Sequence, residues 1–255
     1  MKNAQPVAPA FLKIFFITLI STAAHSQDVS FVGLLPTYTQ VTPLSKKVDW
    51  SFFFGNALNP GDRHFGNLDY PEADIRLQLN NGIVYKAQKN LSFAAGMLYQ
   101  KNFAFDSRRV DEYRAYQQVL FSNYYDALKV SHRFRFCERF IENRVTHDYP
   151  LTTVLQYNTT LLVPFKGKTV APKSFYATGY AEEFFFLSGP NKFSFLGEFW
   201  TNASIGYNFG QWGKVQCGFT YEWLVRNAAK DKREMYLFST ELITNFDLFS
   251  VRKQK

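Results

Sequence analysis

Apolar and polar residues alternate with a period of two through most of the chain, and the spacing of an amphipathic helix is almost absent. In "KVQCGFTYEWLVR", Val215, Cys217, Phe219, Tyr221, Trp223 and Val225 share one face, while Gln216, Gly218, Thr220, Glu222 and Arg226 lie mostly on the other. In "ADIRLQLNN", Ala73, Ile75, Leu77 and Leu79 oppose Asp74, Arg76, Gln78 and Asn80. "KVSHRFRFCERF" sets Val130, Phe134, Phe136 and Phe140 against Ser131, Arg133, Arg135, Cys137 and Arg139. "FLGEFWTNASIGYNFG" divides the same way, with a slip near Ala203, and puts Glu198, Trp200 and Asn202 on its polar side. Further candidate strands cover 30–42, 47–57, 90–102, 112–124, 150–163, 175–187 and 235–248, which makes eleven.

Many of these strands hold ten or more alternating residues. Strands of soluble domains run to about 5–6 residues, whereas a tilted membrane strand needs about 9–11. Connections alternate too. Short turns such as "YKAQKN", "YYDALK" and "NFGQWGK" interleave with longer charged loops at 58–72, 103–111, 141–149 and 226–234. Short turns at one end and long loops at the other are the pattern of an outer-membrane barrel. The expected fold is therefore all-β: one transmembrane antiparallel β-barrel of 10–12 strands, with short periplasmic turns and longer outer loops. A secreted β-sandwich also alternates, but it would rarely place aromatics on one face of nearly every strand. A closed antiparallel bacterial barrel has an even strand count. Ten results if segment 28–43 stands outside the wall and twelve if one strand is missed; twelve is favoured.

The N-terminus agrees with export. Residues 1–26 carry only Lys2 and Lys13 as charges, then an apolar run from Ile14 to Ile20, then small residues, with Ala24 and Ser26 at −3 and −1 of a cleavage before Gln27. That is the layout of a secretory signal peptide, and the run is short of the roughly 20 apolar residues of a spanning helix. The barrel is accordingly expected over 27–255, in the cell outer membrane, with outer-membrane lipids as its surroundings.

Composition adds one constraint. The chain has 28 Phe, 15 Tyr and 4 Trp among 255 residues, yet its mean hydropathy is −0.23. Alternation explains this, because aromatic and charged positions cancel in the mean. Two cysteines exclude a disulfide-stapled scaffold. A net charge of +8 comes with no nucleic-acid motif, so no nucleic-acid partner is expected. Loop and tail Lys and Arg have lipid phosphates to meet.

The stretch from Asp111 to Phe140 carries Glu112, Arg114 and Gln117 (or Gln118) on one strand, a short turn, then His132, Arg133, Arg135, Glu138 and Arg139 on the next. It resembles the outer-membrane family catalogued as domain of unknown function 2490, with a Glu-x-Arg-x-x-Gln strand followed by His-Arg-x-Arg-x-Glu-Arg. Here Cys137 interrupts the charged run. "GYAEEFFF" and "SIGYNFGQWGKVQCGFTY" look like that family's closing hairpins. The resemblance implies an outer-membrane barrel of Gram-negative bacteria and supplies no biochemical activity.

If the aromatic faces meet lipid, the charged faces meet the lumen. The lumenal set is then Arg76, Glu112, Arg114, Arg133, Arg135, Arg139, Glu198, Glu222 and Glu241, together with Asp74. Near-equal numbers of the two signs favour an interior ion-pair network in a structural or envelope-associated protein. The alternative is a narrow channel or uptake protein for a small anionic solute, although a selective pore would carry an excess of one sign. An outer-membrane hydrolase is the weaker alternative. Ser131 and His132 are adjacent in a strand and point to opposite faces, so no catalytic set is assigned. The acidic cluster Asp62, His64, Asp69, Glu72 and Asp74 fits no metal-loop spacing, and no metal or cofactor is expected. Glu182 and Glu183 cannot both face the lumen of a regular strand, which suggests a strand end or bulge there. Cys137 and Cys217 fall on opposite faces and are expected to remain free thiols.

Overall fold

A sheet of long strands either keeps edges with unpaired N–H and C=O groups or closes on itself, and here the wall closes. The structure, a computed structural model, describes residues 29–60, 63–65, 68–70, 73–102 and 110–246. The segment 1–26, read above as a signal peptide, lies outside the described residues. In chain order the strands are β1 Val29–Pro43, β2 Val48–Asn59, β3 Arg63–Phe65, β4 Leu68–Tyr70, β5 Ala73–Gln88, β6 Leu91–Asn102 and β7 Val110–Tyr125. They continue with β8 Leu128–Ile141, β9 Leu151–Pro164, β10 Ser174–Ser188, β11 Leu196–Asn208, β12 Lys214–Val225 and β13 Lys232–Thr244. Eleven of them form a closed barrel in the order β1-β13-β12-β11-β10-β9-β8-β7-β6-β5-β2, while β3 and β4 pair only with each other.

Eleven strands correct the expectation of an even count. The parity rule assumes that every neighbouring pair is antiparallel. Here β1 runs parallel to β13, with Val29 beside Arg233 through to Gln40 beside Thr244. One parallel seam satisfies backbone donors and acceptors as well as an antiparallel one does. The 28–43 segment is thus a wall strand, and no twelfth strand is needed to close the ring.

The short connections β1–β2, β5–β6, β7–β8 and β11–β12 gather at one rim, called here the turn rim. Two of them are two-residue turns, Lys89-Asn90 between the paired Gln88 and Leu91 and Asp126-Ala127 between the paired Tyr125 and Leu128; Asp126 sits at φ 55°, a left-handed conformation that Asp tolerates. The longer β9–β10 connection, 165–173, also lies at the turn rim, and the other, loop rim carries β2–β5, β6–β7, β8–β9, β10–β11 and β12–β13. The β8–β9 loop is tied down by Asn143, whose backbone N–H donates to Asp148 O (2.8 Å), and by His147 Nδ1 against Glu142 Oε1 (2.9 Å). That hydrogen bond, with one from the Asp111 backbone N–H, holds the Glu142 carboxyl below its usual range.

Outward positions are aromatic and aliphatic: Phe219 is 71% exposed, Met97 66% and Ile205 57%. Cross-strand rings pair along this face, as in Tyr99–Tyr113 (5.3 Å), Tyr221–Tyr236 (5.0 Å) and Phe219–Phe238 (5.6 Å) between centroids. His132 joins the outer face, stacked between Phe121 and Tyr157, with Nδ1 2.9 Å from the Tyr157 hydroxyl. Inside, two apolar clusters share the lumen with the charges. Phe31, Leu35, Ala57, Ile75, Met235 and Leu237 form one, and Tyr116, Cys137, Val154, Phe184 and Phe186, with Trp200 against them, form the other. Ile75 departs from the alternation. The register slips between Ala57 and Leu58, which face Arg76 and Asp74, so Ile75 is the extra residue of a bulge. Ile75 and Arg76 are both buried.

Candidate functional site in the barrel lumen

The period of two decides which side chains enter the lumen, and strand pairing decides which of them meet. Arg76 on β5 and Glu222 on β12 stand four strands apart around the wall. They meet across the lumen in a two-pronged pair, Nη1 to Oε2 at 2.6 Å and Nη2 to Oε1 at 2.8 Å. The Arg76 guanidinium also lies 4.5 Å from the centroid of Trp200. A second crossing starts at β7. Glu112 accepts from Arg114 Nε at 2.5 Å and from Arg139 at 2.6 and 3.2 Å. Arg139 then reaches across β9 and β10 to donate to Glu198 on β11 at 3.1 Å. All six of these residues are buried. Bidentate, charge-assisted contacts of this kind compensate the desolvation of both partners.

Amides extend the network. Gln78 Nε2 donates to Gln100 Oε1 (2.6 Å), and Arg114 Nη2 donates to the same oxygen (2.8 Å). A further ion pair, Arg133 Nη2 to Glu182 Oε1 at 2.6 Å, joins β8 to β10. Arg135 differs. Its Nε donates to Gln118 Oε1 at 2.9 Å and its guanidinium stacks 4.2 Å over the Tyr116 ring. No carboxylate lies within ion-pair distance of it among the described residues. Tyr116 lies across Gly82 and Gly96, where an added Cβ would come within 2.5 Å of its hydroxyl oxygen; glycine at both positions leaves the room it occupies. Glu241 accepts from Thr39 Oγ1 (2.8 Å) and Gln216 Nε2 (3.2 Å), with no cation at ion-pair distance among the described residues.

Seven of the nine residues marked from the sequence therefore sit in ion pairs, and Arg135 and Glu241 sit in hydrogen bonds. The Asp74 side chain and the acidic cluster around it lie outside the described residues. Glu182 and Arg233 belong on the inner face and were not in the marked set. Glu182 and Glu183 occupy a regular stretch of β10, one pointing in and one out, and the irregularity comes later, between Phe184 and Phe185. Arg233 is buried on β13, which starts at Lys232, earlier than the alternation alone suggested. An even step back from Glu241 would have found it. Glu138, a member of the charged motif, faces outward and is exposed.

Ser131 points inward to the Ser122 hydroxyl (2.8 Å) while His132 points outward, so the two do not form a nucleophile–base pair. Cys137 is buried, Cys217 is exposed and both are free thiols. Among the described residues no group of three His, Cys, Asp or Glu side chains is placed to hold a metal ion.

Towards the turn rim from the two crossings lies a lumenal cavity of about 440 Å³. Its walls include Thr39, Ser51, Asn80, Gln118, Thr160, Thr178, Ser204 and Gln216, and Arg76, Arg114, Arg133, Arg135, Glu182, Glu222 and Glu241 are its charged lining. Loop-rim groups such as Phe31, Glu112, Arg139 and Glu198 do not line it.

A closed barrel with an aromatic outside and a charged, partly apolar inside defines an outer-membrane-type β-barrel. The family described as "Protein of unknown function (DUF2490)" matches residues 37–233, and the chain belongs to that family. No curated protein matches the chain. Among solved structures the barrel is similar to LpxR from Salmonella typhimurium, with 11% identity, a TM-score of 0.47, and 78% of this chain and 84% of that one covered.

Proposed function

We propose that this protein is an integral barrel of the Gram-negative outer membrane, exported with a cleaved signal peptide, and that its lumen is closed by a septum of arginine–glutamate pairs. Its role on this reading is structural or envelope-associated. The carrying observation is that Arg76–Glu222 and Arg139–Glu198 each tie strands on separate parts of the wall across the lumen. The aromatic outer face supports residence in lipid, where a closed barrel leaves no strand edge unpaired. Planar-bilayer recording of the refolded full barrel tests the septum: no steady current is expected. A steady anion-selective current would instead establish the second reading, a narrow anion channel. That reading draws on the turn-side cavity and on an Arg135 without a carboxylate partner among the described residues.

A further inference from the structure

The side chains that the septum leaves over are not spread evenly. Arg133 and Arg135 stand two residues apart on β8, so both guanidiniums project from one face into the same part of the lumen. Among the described residues only one of them, Arg133, has a carboxylate, Glu182, at ion-pair distance. That contact uses Nη2, and Arg133 Nε is buried with no hydrogen-bond partner. Arg135 commits its Nε to a neutral amide and its face to Tyr116, which leaves its two terminal nitrogens without an acceptor among the described residues. A guanidinium carries five donors and no acceptor, and a confined positive charge beside another is costly unless an anion meets it. Both arginines line the 440 Å³ cavity, a volume within the range of small-ligand pockets. Gln156 and Asn158, from the next strand, line it beside them and can serve as further hydrogen-bonding groups.

We propose that the turn-side cavity is a binding site for a small oxyanion, a carboxylate or phosphate group, held by Arg133 and Arg135. Arg135 is the main determinant, because its fork presents two donors to one planar or tetrahedral anion. Glu241 and Glu182 on the same cavity disfavour large polyanions and so set a size and charge limit. The site lies on the turn-rim side of the septum, so it does not require conduction, and a conducting barrel would leave this prediction standing.

The full-length barrel, refolded in detergent at fixed ionic strength, is titrated with inorganic phosphate, acetate or chloride, and its thermal unfolding is followed. A saturable upward shift in Tm is expected with phosphate or acetate and not with chloride, as linkage to the folded state requires. Comparison of the phosphate and acetate arms tells which anion chemistry is preferred. Arg135→Gln should weaken the apparent affinity by at least about tenfold, the loss of one charge-assisted contact. Gln118→Glu provides a second route that keeps Arg135. A carboxylate placed where the Gln118 oxygen lies, 2.9 Å from Nε, would neutralise the guanidinium internally and abolish the phosphate or acetate shift in a well-folded barrel. Equal shifts with all three salts, or a full phosphate shift in Gln118→Glu, would overturn the proposal.

Discussion

Arg76 and Glu222 have side chains 2% exposed each, so neither can turn to solvent when its partner is removed. Glu222→Gln should therefore destabilise the folded barrel by about 3–5 kcal/mol, the cost of breaking a buried pair on one side. Replacing both by leucine should restore much of that loss, because the burden is the uncompensated charge and not the missing contact. The pair Lys168–Asp126 on the turn-rim surface, with side chains 79% and 72% exposed, is the control: Lys168→Ala should leave the unfolding midpoint essentially unchanged, because solvent screens an exposed pair. Urea unfolding of the four barrels side by side measures this, and equal losses for Glu222→Gln and Lys168→Ala would refute a network that holds the lumen. Parity alone identified Arg76 and Glu222 as lumenal, because a strand residue has only two sides to choose from. It could not identify them as partners, since they are 146 residues apart and their meeting depends on ring closure. Glu182 was lost to parity for a different reason. Beside Glu183 it looked like a disturbance, whereas the strand is regular there and one carboxylate faces outward.

β1 and β13 test the closure itself. Their parallel register puts Leu34 beside Phe238, and both side chains point outward and are exposed. With Cys137 and Cys217 replaced by serine, a Leu34→Cys/Phe238→Cys barrel should form a disulfide under mild oxidation, as neighbouring strand positions allow. Its absence, with the barrel folded, would mean that these strands are not neighbours and that the ring holds an extra element between them. Strand existence was readable throughout, because alternation over ten or more residues has few other meanings. Strand count was readable as well. The error came from applying an even-number rule to a count of eleven, because nothing local in "VSFVGLLPTYTQVTP" distinguishes a parallel neighbour from an antiparallel one. The bulge at Ile75 was hidden for a similar reason. It is a property of the β2–β5 pairing, and the β5 sequence taken alone alternates without a break.

The parallel seam also fixes where the two ends of the barrel wall lie. β1 and β13 both run from the loop rim to the turn rim, so the barrel begins at one rim and ends at the other. An even, fully antiparallel barrel would bring both ends to one rim. Long loops face outward in barrels of this class and short turns face the periplasm. A protease-cleavable tag inserted immediately before Val29 should then be cut in intact cells, together with one placed in the β8–β9 loop between Asn143 and Tyr149. A tag following Phe246 should survive until the outer membrane is permeabilised. The loop tag reports orientation independently of the seam, so the three results separate the two questions. Cleavage of the loop tag with protection of both terminal tags would keep the orientation and defeat the parallel closure. Cleavage of the tag after Phe246 alone would reverse the orientation, putting the Arg133–Arg135 cavity on the cell-surface side of the septum.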